Sequence, residues 1–213
     1  VTRRQIDVKT VNYRMMDDNI GYIQIEEFDE VTSDQFSQAL DSLIEQGMEA
    51  LVIDIRNNPG GILDTVVAML DELLPEGTIV SVKDRNGTAQ EYTSDADTKL
   101  TVPLTVLING NSASASEIFA GAIKDYGVGT LVGTTTYGKG IVQTAFSLSD
   151  GTGVKITIED YYLPSGKSIH KVGVDPDVEI DLPDELKTYV TIPEDEDVQL
   201  QKAIEIMKEQ LQK

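Results

Sequence analysis

The sequence predicts an α/β fold, and three observations carry that expectation. Leu51-Val52-Ile53-Asp54-Ile55 and residues 104–108 are short apolar runs, the pattern of strands buried on both faces of a parallel sheet. Segments of helical period stand between such runs. From Gly21 to Val132 the two kinds alternate, which calls for right-handed strand–helix–strand crossovers.

The elements follow in order. Ile6, Val8, Val11, Tyr13 and Met15 fall mostly at odd spacing, so residues 5–16 read as extended. Asp17-Asp18-Asn19 is a turn signal. Gly21-Tyr22-Ile23-Gln24-Ile25 alternates as a strand. Thr32 and Gln35 have capping-box spacing, and Phe36, Ala39, Leu40, Leu43 and Ile44 continue at helical spacing. After the strand at 51–55, Asn57-Asn58-Pro59-Gly60-Gly61 makes a tight connection. Residues 62–74 form a second helix with Ile62, Val66, Met69, Leu70 and Leu73 on one face. Residues 78–82 read as a strand, 83–99 as a polar hairpin or loop, 104–108 as a strand and 114–126 as a third helix. Strands are expected at 131–132, 141–148 and 154–163, and these later strands lack helices between them, which suggests a β-rich edge or a small second sheet. Residues 181–197 are acidic and broken by proline, the character of a surface connection. A last amphipathic helix spans 199–212, with Leu200, Ala203, Ile204, Met207 and Leu211 on one stripe.

Composition narrows the function. The 213 residues are 40% hydrophobic and 25% charged, enough for one large domain with a core. The division expected is an extended segment at 1–20, a core at 21–183, and an acidic connection with its helix at 184–213. The formal charge of −20 repels phosphate backbones and anionic lipid, which argues against a nucleic-acid partner. The chain has no cysteine, which removes disulfides, thiol catalysis and cysteine zinc sites. No run of about 18 apolar residues is present, so no integral membrane segment is expected. Val1-Thr2-Arg3-Arg4 is not followed by an apolar stretch, so no signal peptide is expected in this chain. The run Glu194-Asp195-Glu196-Asp197 lacks the ligand spacing and central glycine of a calcium loop and reads as a solvated surface. No metal or other cofactor is expected.

Two places could hold chemistry. In Ser112-Ala113-Ser114-Ala115-Ser116-Glu117, a buried strand gives way to a helix, and Ser114 with Glu117 fits a capping box. Capping alone would explain Ser114. The alternative is a nucleophile, because a hydroxyl at a helix N-terminus lies beside unpaired N–H groups and the positive end of the dipole. The strand's carboxyl end is also where open α/β sheets place their sites. A serine nucleophile needs a base. The only histidine, His170, sits in a glycine-marked turn beside Lys171, with no carboxylate next to it in sequence. A buried lysine is the other nitrogen base, since desolvation favours its neutral form. Lys139, in Gly133-Thr134-Thr135-Thr136-Tyr137-Gly138-Lys139-Gly140, is a candidate, although a lysine between glycines is ordinarily an exposed turn tip. Gly133 to Lys139 also fits the front of a phosphate-binding loop. Gly140 stands where that loop needs Ser or Thr, and a strand follows where it needs a helix.

Four segments in this order resemble the C-terminal processing, or tail-specific, serine proteases. They are Asp54-Ile55-Arg56-Asn57-Asn58-Pro59-Gly60-Gly61, residues 112–118, Tyr137-Gly138-Lys139-Gly140-Ile141-Val142-Gln143, and Tyr161-Tyr162-Leu163-Pro164-Ser165-Gly166 with Val174-Asp175-Pro176-Asp177. The resemblance runs from about Gly21 to Pro183. It implies a crotonase/ClpP-like α/β core with additional β-rich segments. It implies Ser114 as nucleophile, Lys139 as general base, Gln143 as its support, and an oxyanion hole near Gly60 and Gly61. Lys139 and Gln143, four apart on an extended segment, would share a face. Asp125 matches a family acidic position. On a helix it lies about 16 Å beyond Ser114, which suits a structural role.

The expected function is therefore a serine endopeptidase that cleaves unfolded or extended polypeptides near their C-terminus. The alternative is an inactive peptide-binding or scaffold module on the same fold. An acyl-CoA enzyme lacks an obvious basic patch for the phosphates. The family usually carries a PDZ domain upstream, where this chain has about 20 residues, so an isolated catalytic domain is expected. The resemblance also implies an extracytoplasmic location, periplasmic or in the cell envelope. The stripe on the last helix either packs on the chain's own core or reaches a partner chain, and the family's habit of assembling through terminal segments leans the expectation toward a homodimer.

Overall fold

The computed structural model describes residues 8–187, 189 and 192–212. Among the described residues, ten strands form two sheets. The larger contains β1 (Val11–Met15), β2 (Ile20–Ile25), β3 (Ala50–Asp54), β6 (Leu104–Ile108), β7 (Thr130–Gly133) and β10 (Val178–Glu179), in the order β1-β2-β3-β6-β7-β10. All its pairings are parallel except β1 with β2. The smaller sheet is antiparallel, ordered β5-β4-β9-β8, from β4 (Gly77–Asp84), β5 (Ala89–Ser94), β8 (Ile141–Ser147) and β9 (Gly153–Tyr162). The helices are α1 (Thr32–Glu45), α2 (Leu63–Asp71), α3 (Ala115–Tyr126) and α4 (Val198–Leu211).

Alternation along the parallel strands sorts the core into two layers. Ile23, Ile25, Leu51, Ile53, Val106 and Ile108 face α1, α2 and α3. Tyr22, Val52 and Leu107 face the opposite side, where Leu200, Ala203 and Met207 of α4 cover them. The expected α/β class is thus the observed one. The smaller sheet packs on the α1–α3 layer through Ile79, Val80, Val82 and Tyr161.

Four details depart from the sequence reading. The strand at 78–82 leaves the parallel sheet and pairs with β5 and β9, so β3 lies directly beside β6. Thr32 and Gln35 do not form a capping box: Gln35 Oε1 instead accepts the Thr10 and Val11 N–H groups, fastening β1 to α1. The run at 194–197 is not wholly solvated, because Asp197 is buried, caps α4 at Leu200 N (3.0 Å) and pairs with Arg56. The stripe on α4 rests on the chain's own sheet, with Leu211 alone of its five residues exposed. At the other end of the chain, residues 5–7 of the expected extended segment lie outside the described residues, and 11–15 are the edge strand β1.

Candidate active site

Three loops leave the C-terminal ends of the adjacent strands β3, β6 and β7, and they meet there. Their own polar groups join them. Asn58 is wholly buried and donates from Nδ2 to the Ile25 carbonyl (2.9 Å). Its carbonyl accepts from Ala113 N (3.1 Å) and from Ser116 Oγ (2.9 Å). Ser112 Oγ donates to the Ile55 carbonyl (2.8 Å), and Tyr137 N donates to the Ser112 carbonyl (3.0 Å). Two of the three alternating serines therefore spend their hydroxyls on the first loop's backbone.

Ser114 is different. It stands at the N-cap of α3 with φ 58° and ψ −113°, a conformation costly for a residue with a Cβ. Hydrogen bonds hold it there. Ser114 N donates to Glu117 Oε2 (2.9 Å), and Glu117 N donates to the Ser114 carbonyl (2.9 Å). The Glu117 half of the expected capping box is thus present, while the Glu117 N–H pairs with the Ser114 backbone carbonyl. The Tyr161 phenol lies near the Ser114 side chain. Burial pushes the Tyr161 phenol above its usual range, and the Ser114 contact opposes that rise.

Glu117 does more than cap. Its carboxylate is fully buried and also accepts from Thr136 Oγ1 (2.7 Å), Gly138 N (2.6 Å) and Lys139 N (2.8 Å). Four donors on two oxygens fill its acceptor capacity. One side chain thereby fixes the serine turn and the lysine loop to each other. A spacing rule for caps does not reveal this second half. The signal was a carboxylate one turn into a helix buried along residues 115–123, where it must be satisfied by polar partners.

Lys139 is half-buried, and among the described residues its Nζ has no hydrogen bond or ion pair. Gln143 is exposed on β8, where its Nε2 reaches Thr157 Oγ1 at 3.4 Å. A register shift between Val142 and Gln143 separates it from the Lys139 loop, so simple alternation does not relate the two side chains. The loop continues into β8, a strand, as expected against a phosphate-binding loop.

Gly60 has φ +102°, and a Cβ there would lie 2.6 Å from the Ala113 carbonyl oxygen and 2.8 Å from Ser114 Cβ. Only glycine allows this approach. Its N–H, expected among the oxyanion donors, instead donates to Asn58 Oδ1 (2.9 Å). Among the described residues, the Gly61 and Ala115 N–H groups have no partner, and Ala115 opens α3. Asp125 Oδ2 accepts from Ser165 N (2.9 Å), tying the end of α3 to the turn after β9. The His170 Nδ1 atom is buried and unpaired. Among the described residues no group of three or more His, Asp or Glu could hold a metal ion, and no helix is long and apolar enough to cross a membrane.

Arg56 and Asp197 were given no role in the sequence reading. Arg56 pairs with Asp54 (2.6 Å) and Asp197 (2.8 Å) and donates to Gln199 Oε1 (3.0 Å). A cavity of about 400 Å³ lies over this network, lined by Arg14, Tyr22, Asn57 and Asn109 among others, and does not include Ser114 or Lys139.

Known proteins resemble this chain in sequence and fold. Over 211 residues the chain is 38% identical to the carboxyl-terminal-processing protease of Synechocystis sp., covering 97% of this chain and 49% of that protein. It is 39% identical over 188 residues to the carboxy-terminal processing protease CtpA of Bacillus subtilis, covering 88% and 40% respectively. The solved photosystem II D1 C-terminal processing protease superposes with a TM-score of 0.76 at 36% identity, over 87% of this chain and 53% of that one. The chain thus spans half or less of the length of these two sequence relatives. Residues 19–180, which carry all three loops at the strand ends, match the peptidase S41 family, and the chain belongs to that family.

Proposed function

We propose that this chain is the catalytic domain of a serine endopeptidase that cleaves extended or unfolded polypeptides near their C-terminus. The observation that carries the reading is Glu117, which joins a strained helix-start serine to a lysine loop. In this mechanism Ser114 Oγ attacks the scissile carbonyl carbon while its proton passes to neutral Lys139 Nζ. The carbonyl π pair moves onto oxygen, where the Gly61 and Ala115 N–H groups receive it, and Gly60 leaves room for the approach. The C–N bond then breaks as the amine takes the proton from Lys139. Water adds to the acyl carbon, giving a proton to Lys139, and the C–Oγ bond breaks as that proton returns to Ser114. Gln143 is assigned as a support for Lys139, a role that requires its amide to leave Thr157.

The unpaired Lys139 Nζ favours one second reading, an inactive peptide-binding scaffold. Turnover of an unstructured peptide separates the two. Ser114→Ala and Lys139→Ala abolish cleavage on the first reading, and His170→Ala does not. A lysine base acts only as the neutral amine, so a rate profile without an alkaline rise would count against it. The similarity to processing proteases supports an extracytoplasmic location, which fractionation of the source cell would test. A homodimer remains part of the proposal. It must use a surface other than the α4 stripe, and light scattering would detect it.

A further inference from the structure

The Lys139 loop is held from two sides. On one, Glu117 accepts from the Gly138 and Lys139 N–H groups. On the other lies the turn at 168–174. Lys171 N donates to the Gly138 carbonyl (2.8 Å), and Lys171 does so from the left-handed region (φ 63°), which few residues with a Cβ occupy. A Cβ on Gly140 would fall 2.6 Å from His170 N, so the turn lies directly against the chain beside Lys139. Thr136, buried at 6% exposure, joins the two sides. Its N–H donates to the Val174 carbonyl (3.1 Å), and its Oγ1 accepts from Val174 N (2.7 Å). The same hydroxyl donates to Glu117 Oε1 (2.7 Å). A hydroxyl has one hydrogen, and an N–H cannot accept it, so the arrangement has a single sense: the Val174 N–H points at the oxygen and the proton points at the carboxylate. The neighbouring Thr135 spends its hydroxyl on Asp175 Oδ1 near the surface (2.8 Å).

Resting on Ser114 as nucleophile and Lys139 as base, we infer that Thr136 is a positioning residue for Lys139, whose hydroxyl fixes the Glu117 carboxylate between the turn at 168–174 and the lysine loop. Thr136 acts through Glu117. Its hydroxyl restrains Oε1, the oxygen that also accepts from Gly138 N, and the carboxylate then keeps Oε2 on Ser114 N and Lys139 N. Without the hydroxyl, the Val174 N–H and one Oε1 lone pair lose their partner inside the protein, and the carboxylate is free to turn. A lysine loop that samples several placements brings Nζ to the serine in fewer molecules. That lowers the rate of the chemical step and leaves peptide binding unchanged.

Thr136→Val keeps the shape and removes the hydroxyl, and Thr136→Ser puts a hydroxyl back. Two quantities are measured at a temperature where all the proteins are folded: kcat and KM for an unstructured peptide, and amide hydrogen exchange along 136–140. The expected result for Thr136→Val is a kcat about tenfold lower, the scale of one such hydrogen bond, with KM unchanged and exchange faster. Thr136→Ser should recover most of the wild-type kcat and exchange. Thr136→Ala removes the hydroxyl by a second route should the valine variant not fold. Thr10→Val is the control for lost stability. It deletes another buried hydroxyl, bonded to Thr32 Oγ1 (2.7 Å) beside β1 and α1, and should lower the melting temperature without lowering kcat. Wild-type kcat in a folded variant without the hydroxyl would overturn the inference. So would a serine variant no better than valine, or an equal loss of kcat in Thr10→Val. Lys139→Ala in the same assay keeps the two questions apart. Full cleavage there sinks the lysine base, whereas a dead Lys139 variant beside an unaffected Thr136→Val sinks only the threonine.

Discussion

At Glu117 one carboxylate receives hydrogen bonds from Ser114 N, Thr136 Oγ1, Gly138 N and Lys139 N. Glu117→Gln keeps the size and replaces one acceptor oxygen by a donor, so at least one of these buried N–H or O–H groups loses its partner. Each such loss costs about 1–3 kcal/mol. The variant should melt lower, and its kcat should fall more than the stability change explains, because Ser114 and Lys139 are no longer held by the same group. Peptide turnover at a temperature where both proteins are folded is the measurement, and unchanged kcat would contradict this reading of Glu117. Gly60→Ala tests the other side of Ser114. The added methyl meets the Ala113 carbonyl and Ser114 Cβ at positive φ, so turnover should drop at least tenfold with a loss of stability of roughly 1–3 kcal/mol. The placement of Ser114 at a helix start and of Lys139 on a loop that runs into a strand was legible in the sequence, whereas the oxyanion roles of Gly60 and Gly61 came only from the family resemblance. The anchoring of Gly60 N–H by Asn58 was not legible, since an asparagine in a glycine-rich turn reads only as a turn residue.

α4 shows how an element can be legible while the surface that covers it is not. Its stripe was plain at helical spacing, but a stripe does not say which surface covers it. The answer lay in two features that periodicity does not register. Alternation gives β2, β3 and β6 a second apolar face, including Tyr22, Val52 and Leu107. Asp197 at the start of α4 meets Arg56, which also holds Asp54. The guanidinium is 9% exposed, and the Asp54 and Asp197 side chains 3% and 4%. Removing the cation from such a cluster leaves two buried carboxylates uncompensated, which costs about 3–5 kcal/mol. Arg56→Ala should therefore destabilise by that amount and loosen α4, read as faster hydrogen exchange along 198–211. A chain ending near Asp197 should expose the Tyr22, Val52 and Leu107 face and unfold or aggregate.

At the scale of the whole molecule, the strand–helix alternation from 21 to 132 was legible because each element carries its own period. The membership of β4 in the second sheet was not, since a short apolar segment such as Ile79-Val80 suits a strand of either sheet. The two-layer core that results buries phenols. Tyr22 is raised well above the usual range, first by burial and then by the charge of Asp54, to which its hydroxyl donates (2.8 Å). Tyr161, Tyr126 and Tyr92 are raised mainly by burial. Unfolded tyrosines begin to lose protons near pH 10, while the folded phenols keep theirs. Above that pH the unfolded state binds fewer protons than the native one, so unfolding free energy falls as pH rises. Below about pH 9 both states are protonated and the contribution is constant. Each fully buried phenol adds a slope of up to about 1.4 kcal/mol per pH unit, and the more exposed Tyr92 and Tyr126 add less. Denaturant titrations from pH 8 to 11.5 should show stability level at first and then falling. Tyr22→Phe should be less stable at pH 8, for want of the hydrogen bond to Asp54, and should fall less steeply above pH 10. Parallel curves for the two proteins would mean that Tyr22 does not set the alkaline limit of stability.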